Sequence, residues 1–168
     1  KVFPETSEQR CWNHRMVNGL DRVGRRDHPV ARDLLRKVAY CETLEAALRA
    51  KRAFQQWCAQ RGYEDAARLL DEDWERLTTF FSFPKEHWTH LRTTNPVESP
   101  FAALRLRTVA AKRFRKVENA TAVIWKLLLI AEARFQRLTA PDLLAEVWNG
   151  AQYINGVRVP DRQDEATG

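Results

Sequence analysis

Apolar residues recur at helical spacing along most of the chain. Trp12, Met16, Leu20 and Val23 form the first stripe, and Gly24 with Arg25-Arg26-Asp27 breaks it. Asp27 is placed to cap a helix with Pro29 in its first turn and Val30, Leu34 and Val38 on its inner face. Thr43 is placed to cap the next, with Leu44, Ala47, Leu48, Phe54 and Trp57 facing inward and Gly62 as its stop. A further stripe, Ala66, Leu70, Trp74, Leu77 and Phe81, runs up to Pro84. These three segments, roughly 28 to 82, predict a small antiparallel helical bundle with its aromatics in the core.

The pattern after Pro84 is again helical. A helix opening at Pro96 puts Val97, Phe101, Leu104 and Thr108 on one face, and the Lys112 to Lys116 cluster is a place for it to end. Asn119 is placed to cap a second, with Val123, Leu127, Ile130 and Phe135 toward a core. Pro141 starts a third, with Leu144, Val147 and Trp148, which Gly150 closes. Strand signals are few. Val2-Phe3 and Gln9 to Trp12 are weak ones, and Tyr153-Ile154-Asn155-Gly156-Val157 is a hairpin signal around an Asn-Gly turn. The polar end, Asp161 to Gly168, predicts fraying.

Composition narrows the class. The chain has 168 residues, 44% of them hydrophobic, which supports a packed core. Net charge is +6 and unevenly spread. Between Glu64 and Arg76, six acids face two arginines, which suggests a solvated face and a poor surface for DNA. Residues 99 to 137 hold nine bases against two acids. Within them Arg105, Arg107, Lys112, Arg113, Arg115 and Lys116 are candidates to track a phosphate backbone; a solvated basic face is the plainer alternative. Three cysteines, Cys11, Cys41 and Cys58, fit a reducing, cytoplasmic setting better than a disulfide framework. No apolar run is long enough to predict a membrane span. The chain opens at Lys1 rather than at a methionine, so a longer parent protein is expected.

Candidate chemistry is sparse. Cys11-x-x-His14 has too few companions for a zinc site, and a buried cysteine beside a hydrogen-bonded histidine explains it as well. Glu86, His87 and His90 lie within one turn of each other, as a weak metal site or as ordinary polar residues. There is no nucleophile elbow and no glycine-rich phosphate loop. Glu98 is the most interesting carboxylate. With Asn95 as cap and Pro96 in first helical position, it falls at the third, where a capping box reaching back to the Asn95 amide is the expected arrangement. A metal ligand held on a rigid element is the rarer alternative.

Several blocks resemble the C-terminal part of prokaryotic insertion-sequence transposases of the Mutator family. They are Phe3-Pro4-Glu5-Thr6 with Gln9-Arg10-Cys11-Trp12-Asn13-His14, Phe83 to Trp88 running into His90-Leu91-Arg92-Thr93-Thr94-Asn95-Pro96-Val97-Glu98-Ser99, Leu104 to Thr108, and Leu143 to Val147 with the later Asn-Gly. The resemblance implies an RNase H-like catalytic domain with an Asp-Asp-Glu triad, interrupted by a helical insertion. Glu98 would be the triad glutamate and a magnesium ligand, and Cys11, His14, Arg92 and Asn95 would be signature residues. Two magnesium ions, completed by aspartates absent from this chain, would activate water or a 3′-hydroxyl for attack on a phosphodiester. The implied fold is mainly α: residues 1–26 as the end of the sheet and a following helix, 27–90 as the insertion bundle, 91–150 as the C-terminal RNase H-like helices, and 151–168 as a hairpin and tail. Most of the sheet would be missing. The implied partners are double-stranded DNA at element ends and target, and further copies of the full-length protein. The chain departs from the family pattern at Ala110-Ala111-Lys112-Arg113 and at Pro100.

Three functions follow from these readings. The first is a transposase fragment, inactive alone because one carboxylate cannot build a two-metal site. The second is a basic DNA-holding module or gene remnant, and the third a generic helical interaction protein. Helices at 96 to 137 without their sheet are expected to expose apolar area or to associate with another chain.

Overall fold

The computed structural model describes residues 6–133, 135 and 137–160. Among them the chain is mainly helical, with a single two-stranded hairpin. It divides into two units, residues 94–138 and the rest.

In the larger unit, α1 (Trp12–Leu20), α2 (His28–Ala39), α3 (Leu44–Ala59) and α4 (Glu64–Glu72) pack as a bundle. Short connections of a few residues force neighbouring helices to turn back on each other. The core is Trp12, Leu20, Val23, Leu35, Val38, Phe54, Cys58, Leu69, Leu70 and Leu77, with alanines where helices approach closely. Thr43 caps α3 as its sequence predicts, its hydroxyl accepting the Ala46 N–H at 3.1 Å. Gly62 stops it, at a φ of +73° that favours glycine.

Two expectations shift in register. The buried face of α2 is Ala31, Leu35 and Val38, while Val30 stands 46% exposed. Both stripes have helical spacing, so periodicity alone could not choose between them. Asp27 precedes α2 without capping it; its carboxylate accepts the Tyr63 hydroxyl at 2.8 Å instead. The stripe from Ala66 to Phe81 is also no single helix. It breaks at Asp73, between α4 and α5 (Trp74–Thr78), then continues as a 3-10 turn over Thr79–Ser82. Asp73 is the one acid of its run drawn deep into the fold, where it pairs with Arg10 at 3.2 Å and with the buried Arg15. Burial pulls the Arg15 guanidinium below its ordinary pKa, and Glu72 at 3.6 Å partly offsets this.

Gln9 to Trp12 form no strand. Arg10 N–H donates to the Arg76 carbonyl at 2.7 Å and Trp12 N–H to the Arg92 carbonyl at 2.8 Å, neither of them a strand partner. Trp12 begins α1 instead. The Val2-Phe3 signal lies outside the described residues.

The chain closes the unit with α6 (Trp88–Leu91), α9 (Leu143–Trp148) and the hairpin β1 (Tyr153–Ile154) with β2 (Val157–Arg158). The Asn-Gly turn forms as predicted, with φ of 51° and 80° at Asn155 and Gly156. It is also a plug. Asn155 Oδ1 accepts the Leu44 N–H at the start of α3 (2.8 Å), Gly156 N–H donates to the Phe81 carbonyl, and Lys85 N–H donates to the Gly156 carbonyl. A Cβ at Gly156 would sit 2.7 Å from Lys85 Cβ and 2.9 Å from the Trp88 ring, so only glycine fits.

The smaller unit is a helical hairpin of α7 (Asn95–Ala110) and α8 (Val117–Glu132). Lys116, not Asn119, precedes α8, and Asn119 lies within its first turn. None of the described side chains of α7 or α8 is buried. Val123, Ile130 and Phe135, expected in a core, are 39%, 46% and 54% exposed. Among the described residues no helix is long and apolar enough to cross a membrane.

Candidate functional site

Glu98 lies in the first turns of α7, one register step from the expected place. Thr94 is the residue before the helix, Asn95 its first residue and Pro96 its second. The first helical N–H groups have no intrahelical acceptor, so a proline fits either of the first two positions equally well. The first intrahelical bond is Glu98 N–H to the Thr94 carbonyl, at 2.9 Å. The Glu98 carboxylate accepts the Thr94 hydroxyl, and Thr94, the N-cap by position, makes no side-chain cap bond to the helix N–H groups. Glu98 is exposed.

Arg92 is anchored in the larger unit. Its guanidinium carbon lies 4.6 Å from the Phe80 ring centre, 4.8 Å from Trp88 and 5.4 Å from Tyr40. Nη2 donates to the Cys41 carbonyl at 3.3 Å, while Nε is buried without an acceptor. Burial therefore lowers its pKa from the ordinary arginine value. The Arg92 carbonyl takes the Trp12 N–H, so two blocks some eighty residues apart in sequence meet here. Arg92 is thus held within the larger unit. Its role was not legible beforehand: an arginine amid aromatics gives no periodic signal, and its rings come from three separate elements.

Cys11 is buried just before α1, and His14 is exposed one turn on. Among the described residues no three metal-ligating side chains converge, there or elsewhere. His87 is buried with Nε2 at 3.0 Å from the Ala140 carbonyl, and His90 Nε2 takes the Thr139 N–H at 3.1 Å. These two histidines serve the fold at the point where the chain re-enters the larger unit.

The six basic candidates are all exposed on one stretch of the hairpin. Arg105 and Arg107 project from α7, while Lys112, Arg113, Arg115 and Lys116 occupy the turn into α8. Lys112 takes a φ of 58°, a left-handed conformation that ends α7. Among the described residues none of the six has a carboxylate partner. At ~1.5 Å rise per residue, Lys112 lies ~21 Å along the helix axis from Glu98. Arg105 and Arg107 stand closer, ~10 and ~14 Å along the axis, so the basic stretch runs from the middle of α7 into the turn beyond it.

The hairpin thus carries an exposed carboxylate in the first turns of α7 and an exposed basic stretch from the middle of that helix into the following turn. The chain belongs to the Mutator family of transposases, whose family model matches residues 1–137. It is 37% identical to the transposase for insertion sequence element IS6120 of Mycolicibacterium smegmatis, over 99% of this chain and 51% of that protein. It is 32% identical to the transposase for insertion sequence element IST2 of Acidithiobacillus ferrooxidans, over 99% of this chain and 57% of that protein. The chain thus spans about half the length of the curated relatives it matches. No solved structure matches it.

Proposed function

We propose that this chain supplies the glutamate and part of the DNA-contact surface of an Asp-Asp-Glu transposase, an enzyme that cleaves and joins strands at insertion-sequence ends. The layout of the helical hairpin carries the reading: Glu98 exposed in the first turns of α7, and six exposed cations without a carboxylate partner among the described residues, from ~10 Å along the helix axis into the turn beyond it. In this reading α7 and α8 are helices of an RNase H-like domain, and the bundle is its insertion. The full-length protein works as a homo-oligomer on DNA in the cytoplasm, with the nucleoid.

Glu98 is the proposed catalytic residue, as a magnesium ligand; a carboxylate is the hard oxygen donor that magnesium takes. The described residues do not fit a complete two-metal centre, because among them no group of three metal-ligating side chains forms. The centre would need aspartates from outside this chain. For the chain alone, that same observation favours a second reading, a module that holds DNA without chemistry.

Fluorescence anisotropy with a linear duplex tests the DNA reading. Binding should weaken as salt rises, with a log–log slope near −0.9 per phosphate contact. The pair Arg113→Ala/Lys116→Ala should flatten that slope by about 2. Absent or salt-insensitive binding overturns the reading. In the full-length protein, Glu98→Gln should abolish strand cleavage and leave duplex binding intact. Magnesium-dependent cleavage by the 168-residue chain alone would show that its centre is not shared.

A further inference from the structure

We propose that the groove between α2 and α3 is a second contact surface for duplex DNA, with Arg32, Arg36 and Tyr40 as its contact residues. The proposal rests on the DNA reading above but concerns a different unit and a different set of cations.

Residues 22–52 hold nine basic and four acidic side chains. The groove has a volume of about 710 Å³ and is lined by Arg36, Lys37, Tyr40, Cys41, Glu42 and Thr43, among others. Its acids are answered locally: Glu42 by Lys85 at 3.1 Å, Glu45 by Arg49, and Asp33 by Lys37 at 2.7 Å. Arg32 and Arg36 are exposed, stand one turn apart on α2, and have no carboxylate partner among the described residues. Two guanidiniums flank the Tyr40 ring, Arg36 at 5.8 Å and Arg92 at 5.4 Å from its centre. The ring attracts both cations, while their mutual repulsion is eased by an incoming anion. Arg92 is already desolvated, which strengthens its attraction for an anion. Tyr40 itself is 48% exposed, a surface that the sugars of a duplex backbone can contact.

The row of cations favours an extended polyanion over a single free phosphate. α2 spans twelve residues, ~18 Å, with Arg32 and Arg36 along it and Arg25-Arg26 just before it. The acidic run lies largely on another helix, α4.

The test uses the 168-residue chain, a linear duplex and a salt series, with circular dichroism confirming the fold of each variant. Arg32→Ala/Arg36→Ala should weaken binding several-fold at fixed salt and flatten the salt slope by about 2. Tyr40→Ala should weaken binding several-fold with the slope unchanged, and Tyr40→Phe should restore it. If the groove pair binds like the parent while Arg113→Ala/Lys116→Ala loses binding, the groove is refuted and the hairpin surface stands. If the groove pair alone loses binding, the groove stands and the hairpin surface fails. No duplex binding by the parent chain overturns both. Preference for polyglutamate over duplex overturns the groove as a DNA surface and makes it one for acidic protein.

Discussion

The two units are built from similar helices and end in opposite states. α3 and α8 are each sixteen residues long. α3 buries Ala47, Phe54 and Cys58 and even Lys51, whose ammonium sits 4.4 Å from the Trp74 ring centre and 2.6 Å from Asp71. α8 is the more apolar in sequence, yet buries none of its described side chains; Trp125 is 64% exposed and Ile130 46%. An apolar stripe stabilises a helix only when a partner surface removes it from water. The bundle provides that surface within itself, while α7 and α8 pack against each other without burying a described side chain.

Mutations can break or sharpen this contrast. The largest effect is expected at Phe54, fully buried and stacked near Trp57. Phe54→Ala should cost about 3–5 kcal/mol in denaturant unfolding of the larger unit. A cost near zero would mean that the bundle is not a self-supporting core.

Alkaline pH comes next. Burial pushes the Cys58 thiol up to about 11. A pKa raised by folding means the neutral thiol is the form the fold stabilises. That contribution is complete below the unfolded thiol value near ~8.5 and is lost as pH climbs through about 11. The loss should be on the order of 2 kcal/mol and should disappear in Cys58→Ala after allowance for that variant's own cavity cost. Unfolding measured from pH 8 to 11 checks it, and Cys58 should also resist thiol reagents at pH 8.

Smaller effects follow at the surface. Asn155→Ala removes the side-chain acceptor of the Leu44 N–H and should cost about 1 kcal/mol, as losing a helix cap does. Trp125→Ser, on the exposed side of α8, should change stability by less than ~0.5 kcal/mol. A cost of ~2 kcal/mol or more there would show that the Trp125 face is covered in solution, for instance by another copy. Amide exchange should rank the units the same way, with α3 slower than α8.

How much was legible beforehand depended on how local each feature was. Thr43 as a cap, Gly62 as a stop and Asn155-Gly156 as a turn each depend on two or three adjacent residues, and each formed as read. Signals that needed a choice between equal alternatives slipped by one step. Pro96 suits two helical positions, so the cap moved from Asn95 to Thr94. Ala31-Leu35-Val38 fits a helix face as well as Val30-Leu34-Val38 does. Asp73 looked like one more surface acid until Arg15 was seen to bury against it. The Gln9 to Trp12 strand failed because its backbone groups found acceptors at Arg76 and Arg92.

The sequence by itself determined the helical character, the placement of Glu98 at a helix start, the basic stretch after it, and the family, because each rests on residue type and near-neighbour spacing. Tertiary structure alone decided what Arg92 does, why Gly156 cannot carry a side chain, and that Arg36 and Arg92 both lie near the Tyr40 ring. Those contacts join residues tens of positions apart, and no periodicity along the chain records which distant surfaces will be pressed together.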